Sequence, residues 1–158
     1  MRAQPVKIYD AMQGVPGMNQ TEIEEFLTGS QTILRLATVD QKGEPAIHPV
    51  WYYFQDNVIY IWTSKTSRKA RNMISKNRVY FSIDTDSQPY KGVKGKATAS
   101  ILNDPSRTLE IAKKIVIKYL GNLDNAYGKL LSVAKPGSET VMEIVPDFYT
   151  VWDYGKRS

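Results

Sequence analysis

Thr63-Ser64-Lys65-Thr66-Ser67-Arg68-Lys69-Ala70-Arg71-Asn72-Met73 is where two periodicities of this chain meet. The run before it, Val58-Ile59-Tyr60-Ile61-Trp62, is short, β-branched and aromatic, and predicts a buried strand. Four hydroxyl side chains follow, at Thr63, Ser64, Thr66 and Ser67. The spacing then changes: Ala70, Met73 and Ile74 fall at i, i+3, i+4 and predict the apolar face of a short helix, with Ser67 as its N-cap. Hydroxyls, free backbone N–H groups, Arg68 and Lys69 therefore gather at a helix N-terminus. Cations there are unfavourable for the helix, whose dipole is positive at that end. They become favourable if an anion lies between them and the helix, and phosphate is the usual one.

The charge around this stretch is one-sided. Residues 57–83 carry Lys65, Arg68, Lys69, Arg71, Lys76 and Arg78 and no acidic residue, against a net charge of +5 for the whole chain. A solvated basic helix face is the plain alternative. The strand-to-helix position favours an anion site, because phosphate sites recur there.

Composition bounds the rest. With 158 residues, 42% hydrophobic and 23% charged, the chain is expected to form one domain with a substantial core. The absence of cysteine excludes disulfides, thiolate metal sites and a thiol nucleophile. One histidine, His48, argues against a histidine-based zinc site or triad, and no metal site is expected. No run is long enough to span a membrane and Met1-Arg-Ala-Gln-Pro5 carries no export-signal core, so a cytoplasmic protein is expected. The pI near 9.3 favours anionic partners, either a phosphate-bearing cofactor or nucleic acid.

Outward from the central stretch, residues 1–17 have no period and read as an irregular arm. Asn19 and Glu22 form a capping-box pattern for a short helix striped by Ile23, Phe26 and Leu27 and closed by Gly29. A strand over 32–39 turns at Asp40–Gly43 into a partner over 44–55, which Pro45 and Pro49 confine to an edge or bulge. Asp56-Asn57 is a second tight turn. Strands are expected over 79–84 and 93–102. A helix capped by Asp104-Pro105 follows and runs to Gly121, then a short one over 126–133. A final pair over 140–145 and 148–152 breaks at Pro146, and Gly155–Ser158 is expected to be mobile. About six strands in hairpin order, with little helix, predict a mainly β, antiparallel barrel.

This pattern resembles the flavin-binding split barrel of the pyridoxamine 5′-phosphate oxidase superfamily. The resemblance rests on the hairpin, Val58-Ile-Tyr-Ile-Trp-Thr63, Ser67-Arg-Lys-Ala70, and Gly95-Lys96-Ala97. It covers residues 32–100 well and 140–152 more loosely. It implies a six-stranded antiparallel split β-barrel binding FMN, homodimeric, with each flavin at the subunit interface.

Residue by residue, the resemblance assigns Trp62 and Thr63 to the flavin ring and ribityl chain. It assigns Arg68 and Lys69 to the phosphate, with Ser64 and Ser67 as hydroxyl partners. His48, Pro49, Val50 and Trp51 run along the isoalloxazine edge, mainly through backbone groups. Trp152 lies near the aromatic that a partner subunit contributes. Family branches also use a deazaflavin coenzyme of the F-420 type, or haem. One departure stands out: the oxidase that acts on pyridoxamine phosphate has an Arg-x-His motif near its C-terminus. This chain ends Trp152-Asp-Tyr-Gly-Lys-Arg-Ser158, which argues against that substrate.

The implied activity is that of a flavin-dependent oxidoreductase passing hydride through the flavin N5 to or from a small molecule. The cofactor carries that chemistry, which suits a chain with no obvious acid–base constellation, and no catalytic side chain is assigned. The rival from another class is a barrel binding single-stranded nucleic acid, with Trp51, Tyr53, Tyr60 and Trp62 stacking bases beside the basic helix. The serine-rich helix start favours a single phosphate over a tracked backbone. A flavin-storing module without turnover is the third reading.

Overall fold

A computed structural model of the protein describes residues 5–157. The first four residues of the arm and Ser158 lie outside the described residues. Nine strands and four helices follow in chain order: β1 (Lys7–Asp10), α1 (Gln20–Gly29), β2 (Leu34–Val39), β3 (Pro45–Val50), β4 (Tyr53–Gln55), β5 (Val58–Thr63), α2 (Arg68–Ser75), β6 (Arg78–Asp84), β7 (Lys91–Ile101), α3 (Pro105–Leu120), α4 (Ala126–Ser132), β8 (Thr140–Pro146) and β9 (Phe148–Asp153). The hydrogen-bonded path is β3-β2-β6-β7-β8-β5-β4, with β9 on β7 and β1 on β9. Its two ends, β3 and β4, are joined by Trp51-Tyr52 alone, so the covalent chain curls the sheet into the split barrel that the sequence predicts.

The strand number differs from six for identifiable reasons. The 44–55 segment keeps Pro45 and Pro49 within its ladder on β2, leaves it after Val50 and resumes as β4 on β5, so one expected strand is two. β3 is an edge strand, as its two prolines require. The supposedly irregular arm contains β1, which pairs in parallel with β9 from Lys7↔Phe148 to Asp10↔Val151. The long β7 is shared: its second half pairs with β8 and its first half with β9. The tail is likewise ordered through a 3₁₀ turn at Tyr154–Lys156, where Lys156 pairs with Glu22.

Alternation along the strands fills the barrel. Leu34, Leu36, Ile59, Ile61, Phe81, Ile83, Val93 and Tyr149 point inward and are buried. Each such side chain contributes about 1.5–3 kcal/mol of burial free energy. The α1 helix starts in the predicted capping box, with Asn19 accepting from the Glu22 N–H, and packs Ile23, Phe26 and Leu27 into that core. Asp56 and Asn57 both take positive φ, 52° and 61°, as a tight hairpin turn requires. Outside the barrel, Ile111 and Ile115 of α3 cover Tyr60 and Val141, and α3 in turn carries α4 through Ala112, Val116 and Leu131. No helix among the described residues is long and apolar enough to cross a membrane.

The apolar stripe of α2 is not the predicted one. Ala70 and Met73 are buried, but Ile74 is exposed and Asn72 is buried in its place. Asn72 Nδ2 donates to Thr38 Oγ1 at 2.9 Å, so a polar contact anchors the helix to β2.

Candidate functional site

The site begins where β5 ends. Ser67 Oγ accepts from the Ala70 N–H at 3.2 Å and lies 3.0 Å from Thr63 Oγ1, so the strand end itself holds the cap of α2. Ser64 Oγ lies 2.9 Å from Thr66 Oγ1 and accepts from the Thr66 N–H at 3.3 Å, while the Ser67 N–H donates to the Ser64 carbonyl. The hydroxyl cluster thus shapes a tight connection that aims the start of α2 back at the sheet.

Beside this connection lies a cleft of about 640 Å³. Of the residues expected at a site, Pro49, Val50, Trp51, Trp62, Thr63, Ser64 and Lys69 line it together. They come from β3, the β3–β4 link, β5 and α2, which only the curled sheet brings to one place. Three expected residues do not line it. Ser67 is committed to the helix cap. Arg68 borders a separate recess with Asp40, Gln41, Lys42, Arg71 and Asn72, and its Nη2 lies 3.8 Å from Asp40 Oδ2. Consecutive helical residues point about 100° apart, which separates Arg68 from Lys69.

His48 is the third. Its Nε2 lies 2.8 Å from Thr38 Oγ1, the same oxygen that accepts from Asn72. Burial, followed by the charges of Lys69 and Arg68, pushes the imidazole below its usual range. A neutral ring accepting the Thr38 proton fits that environment. The contact ties β2, β3 and α2 together behind the cleft wall.

Several lining residues have no counterpart in the sequence reading. Tyr127 and Leu130 of α4, Ile115 of α3, Ile33, Ser138 and Glu139 complete the walls. Trp51 stacks on Tyr119 with centroids 5.0 Å apart and planes at 5°. Its ring also meets Tyr127 at 5.4 Å, and Tyr127 meets Trp62 edge-on at 6.3 Å. The Trp62 indole Nε1–H donates to Glu139 Oε2 at 2.5 Å. Tyr127, Leu130 and Leu131 make a broad apolar face of α4, of which Leu131 is buried against α3 while Tyr127 and Leu130 stay exposed beside the cleft. Nothing in the sequence marks Glu139. The cleft thus joins hydroxyls and one ammonium, at Thr63, Ser64 and Lys69, to walls of indole and phenol, the pattern of a site for an anion-bearing planar ligand.

Comparisons with known proteins agree with this architecture. The family model described as pyridoxamine 5′-phosphate oxidase matches residues 20–153. A conserved hypothetical protein from Mycobacterium tuberculosis superposes with a TM-score of 0.76 at 23% identity, covering 90% of this chain and 89% of that one. An F420 reductase superposes with a TM-score of 0.62 at 20% identity, covering 80% and 94%. The heme storage protein HutZ from Vibrio cholerae superposes with a TM-score of 0.64 at 19% identity, covering 85% and 93%. At these identities the likeness is one of fold. No curated protein matches the chain.

Proposed function

The chain belongs to the pyridoxamine 5′-phosphate oxidase family, and from that premise we propose that it is a flavin-dependent oxidoreductase that takes FMN in the cleft between β3, β5 and α2. The observation that carries this reading is the meeting of Thr63, Ser64 and Lys69 with Trp51 and Trp62 on one cleft wall. Relatives of the same fold have names that point to different cofactors, so the fold does not choose among them and the local residues must.

Those residues fit a flavin. The hydroxyls of Thr63 and Ser64, the Lys69 ammonium and the N-terminus of α2 supply donors for a phosphate. The aromatic walls suit a planar ring, and a volume of about 640 Å³ lies in the range of cofactor sites. Haem fits poorly. Iron in haem proteins is often held by histidine, and the chain's one histidine is engaged with Thr38 and does not line the cleft. When bound, the flavin supplies hydride transfer. The chain's part is to hold the phosphate at Lys69, to fix the ring between Trp62 and the β3 backbone, and to exclude water with Tyr127 and Leu130.

The same reading assigns a homodimer. Register places Ile47, Ala37 and Tyr80 in one row across β3, β2 and β6. Ile47 is 72% exposed and Tyr80 53% exposed, an apolar outer face on an edge strand. Pro49 has the same strand parity as Ile47 and lines the cleft, so a second copy seated on this face reaches the rim of the site.

Titration of the purified protein with FMN, followed by flavin fluorescence, tests the proposal. One FMN bound per chain, with riboflavin bound more weakly, is expected. Competition by the deazaflavin coenzyme distinguishes the two flavin types, and oxidation of the reduced, loaded protein by added acceptors distinguishes turnover from storage. A protein that ignores both flavins yet shifts a single-stranded oligonucleotide in a salt-dependent way would overturn it in favour of the nucleic-acid reading.

A further inference from the structure

Glu139 is the acidic side chain among the residues lining the cleft, and Lys69 is the basic one. They sit on neighbouring chain segments: Thr63 pairs with Thr140, so Glu139 enters the cleft beside the end of β5. One carboxylate oxygen, Oε2, accepts the Trp62 indole N–H, and among the described residues no donor is bonded to the other. The Trp62 bond orients the carboxylate without neutralising it. The rings of Trp51, Trp62 and Tyr127 line the same cleft and meet one another there. Indole and phenol faces attract cations and repel anions through the ring quadrupole. Glu139 is half-buried, so its second carboxylate oxygen is open to a donor or a positive charge that enters the cleft.

We propose that the substrate side of this cleft selects planar cations of the amidinium or aminoaryl class, and that Glu139 is the specificity-determining residue. The inference rests on the flavin reading in one respect. A phosphate at the start of α2 neutralises Lys69, after which Glu139 is the charged side chain left among the residues lining the cleft. Anionic ligands of the same shape then meet both the carboxylate and the ring faces and are rejected. Selection arises as much from this repulsion as from attraction to the preferred class.

The probes are benzamidine, benzamide and benzoate, nearly isosteric and carrying a positive, zero and negative charge. Each is titrated into the FMN-loaded protein and followed by calorimetry. Benzamidine is expected to bind about ten-fold or more tighter than benzoate, with benzamide between them. Glu139→Gln keeps an acceptor for the Trp62 indole and removes the charge, and is expected to bring benzamidine and benzoate within about three-fold of each other. Raised salt should erode the preference in the native protein and leave the variant's weak preference unchanged. A benzamidine preference that persists in Glu139→Gln, or equal binding of the three probes to the native protein, overturns the proposal while FMN binding stands. If the protein takes up no FMN, the flavin reading fails separately. The probes titrated into the flavin-free protein then decide: a preference lost in Glu139→Gln supports the selectivity, and none overturns it.

Discussion

Lys69 lines the aromatic cleft, while the guanidinium of its neighbour Arg68 lies 3.8 Å from Asp40 Oδ2 over a different recess. Two cations expected to act as one clamp are thus divided by the turn of the helix. Arg68 is largely exposed and its ion pair with Asp40 is long, so the pair itself contributes little. On the proposed flavin reading, the phosphate role falls chiefly on Lys69.

Lys69→Ala is expected to weaken FMN binding by about 1.5–3 kcal/mol, roughly ten- to a hundred-fold. Arg68→Ala should cost less. Riboflavin has no phosphate, so its affinity should barely move in either variant. Lys76, at the far end of α2, provides the control: Lys76→Ala should leave both ligands unaffected. Fluorescence titration of the two ligands checks this, and equal losses for FMN and riboflavin would displace the phosphate from the start of α2.

His48 offers a direct electrostatic readout, because the chain contains one histidine and its NMR signals need no assignment. Its titration midpoint is expected below the ordinary value of about 6.5. Burial is the main cause and the charges of Lys69 and Arg68 add to it. Lys69→Ala should move the midpoint up, and so should a phosphate bound beside Lys69. The sign for stability follows from the depressed value of a base. Between the folded-state midpoint and the ordinary value the unfolded chain binds more protons. Stability from this group is therefore complete above about pH 6.5 and declines as pH falls below it. A midpoint at or above the ordinary value would refute this assignment of the His48 environment.

Gly128 lies within α4, where alanine normally stabilises a helix by about 1 kcal/mol. Here a Cβ would stand 1.9 Å from the Leu123 carbonyl oxygen, which is backbone and cannot step aside. Gly128→Ala is therefore expected to destabilise the protein by about 1–3 kcal/mol despite the better propensity. It should also loosen Tyr127 and Leu130 from the cleft and weaken FMN. A denaturant series on the variant measures the first effect, and a more stable variant would contradict the packing of α4.

A homodimer should sediment at about twice the 17.9 kDa of the chain. Ile47→Lys places a charge on the exposed row of β3 and should shift the protein towards monomer. FMN affinity should fall in parallel, since in the proposed dimer the second copy reaches the cleft beside Pro49. Sedimentation at increasing FMN concentration tests the linkage: flavin is expected to favour the dimer by mass action. A monomer that binds FMN with undiminished affinity would remove the second copy from the site.

Much of the fold was legible because local chemistry is strong where it matters. The capping box at Asn19, the N-cap at Ser67, the Asp104-Pro105 helix start and the Asp56-Asn57 turn all stand where residue type and spacing put them. The parallel pairing of β1 with β9 was not legible, because its partners are far apart in sequence and a four-residue strand has too little pattern of its own. The stripe of α2 was misassigned at Ile74 because a single polar contact, Asn72 to Thr38, outweighs apolar spacing over so short a helix.

For the site, neighbouring residues along the chain set the chemistry of one wall. Hydroxyls, a capped helix start and a basic pair beside an aromatic strand are local features, set by residues within a few positions of one another. Packing of distant segments settled everything that depends on direction. It turned Lys69 into the cleft and Arg68 out of it, brought Tyr127 and Leu130 across from α4, and set the Glu139 carboxylate on the Trp62 indole. Side-chain direction depends on how each element rotates to bury its own apolar face. That rotation is settled by the partners it packs against, which in a curled sheet come from distant parts of the chain.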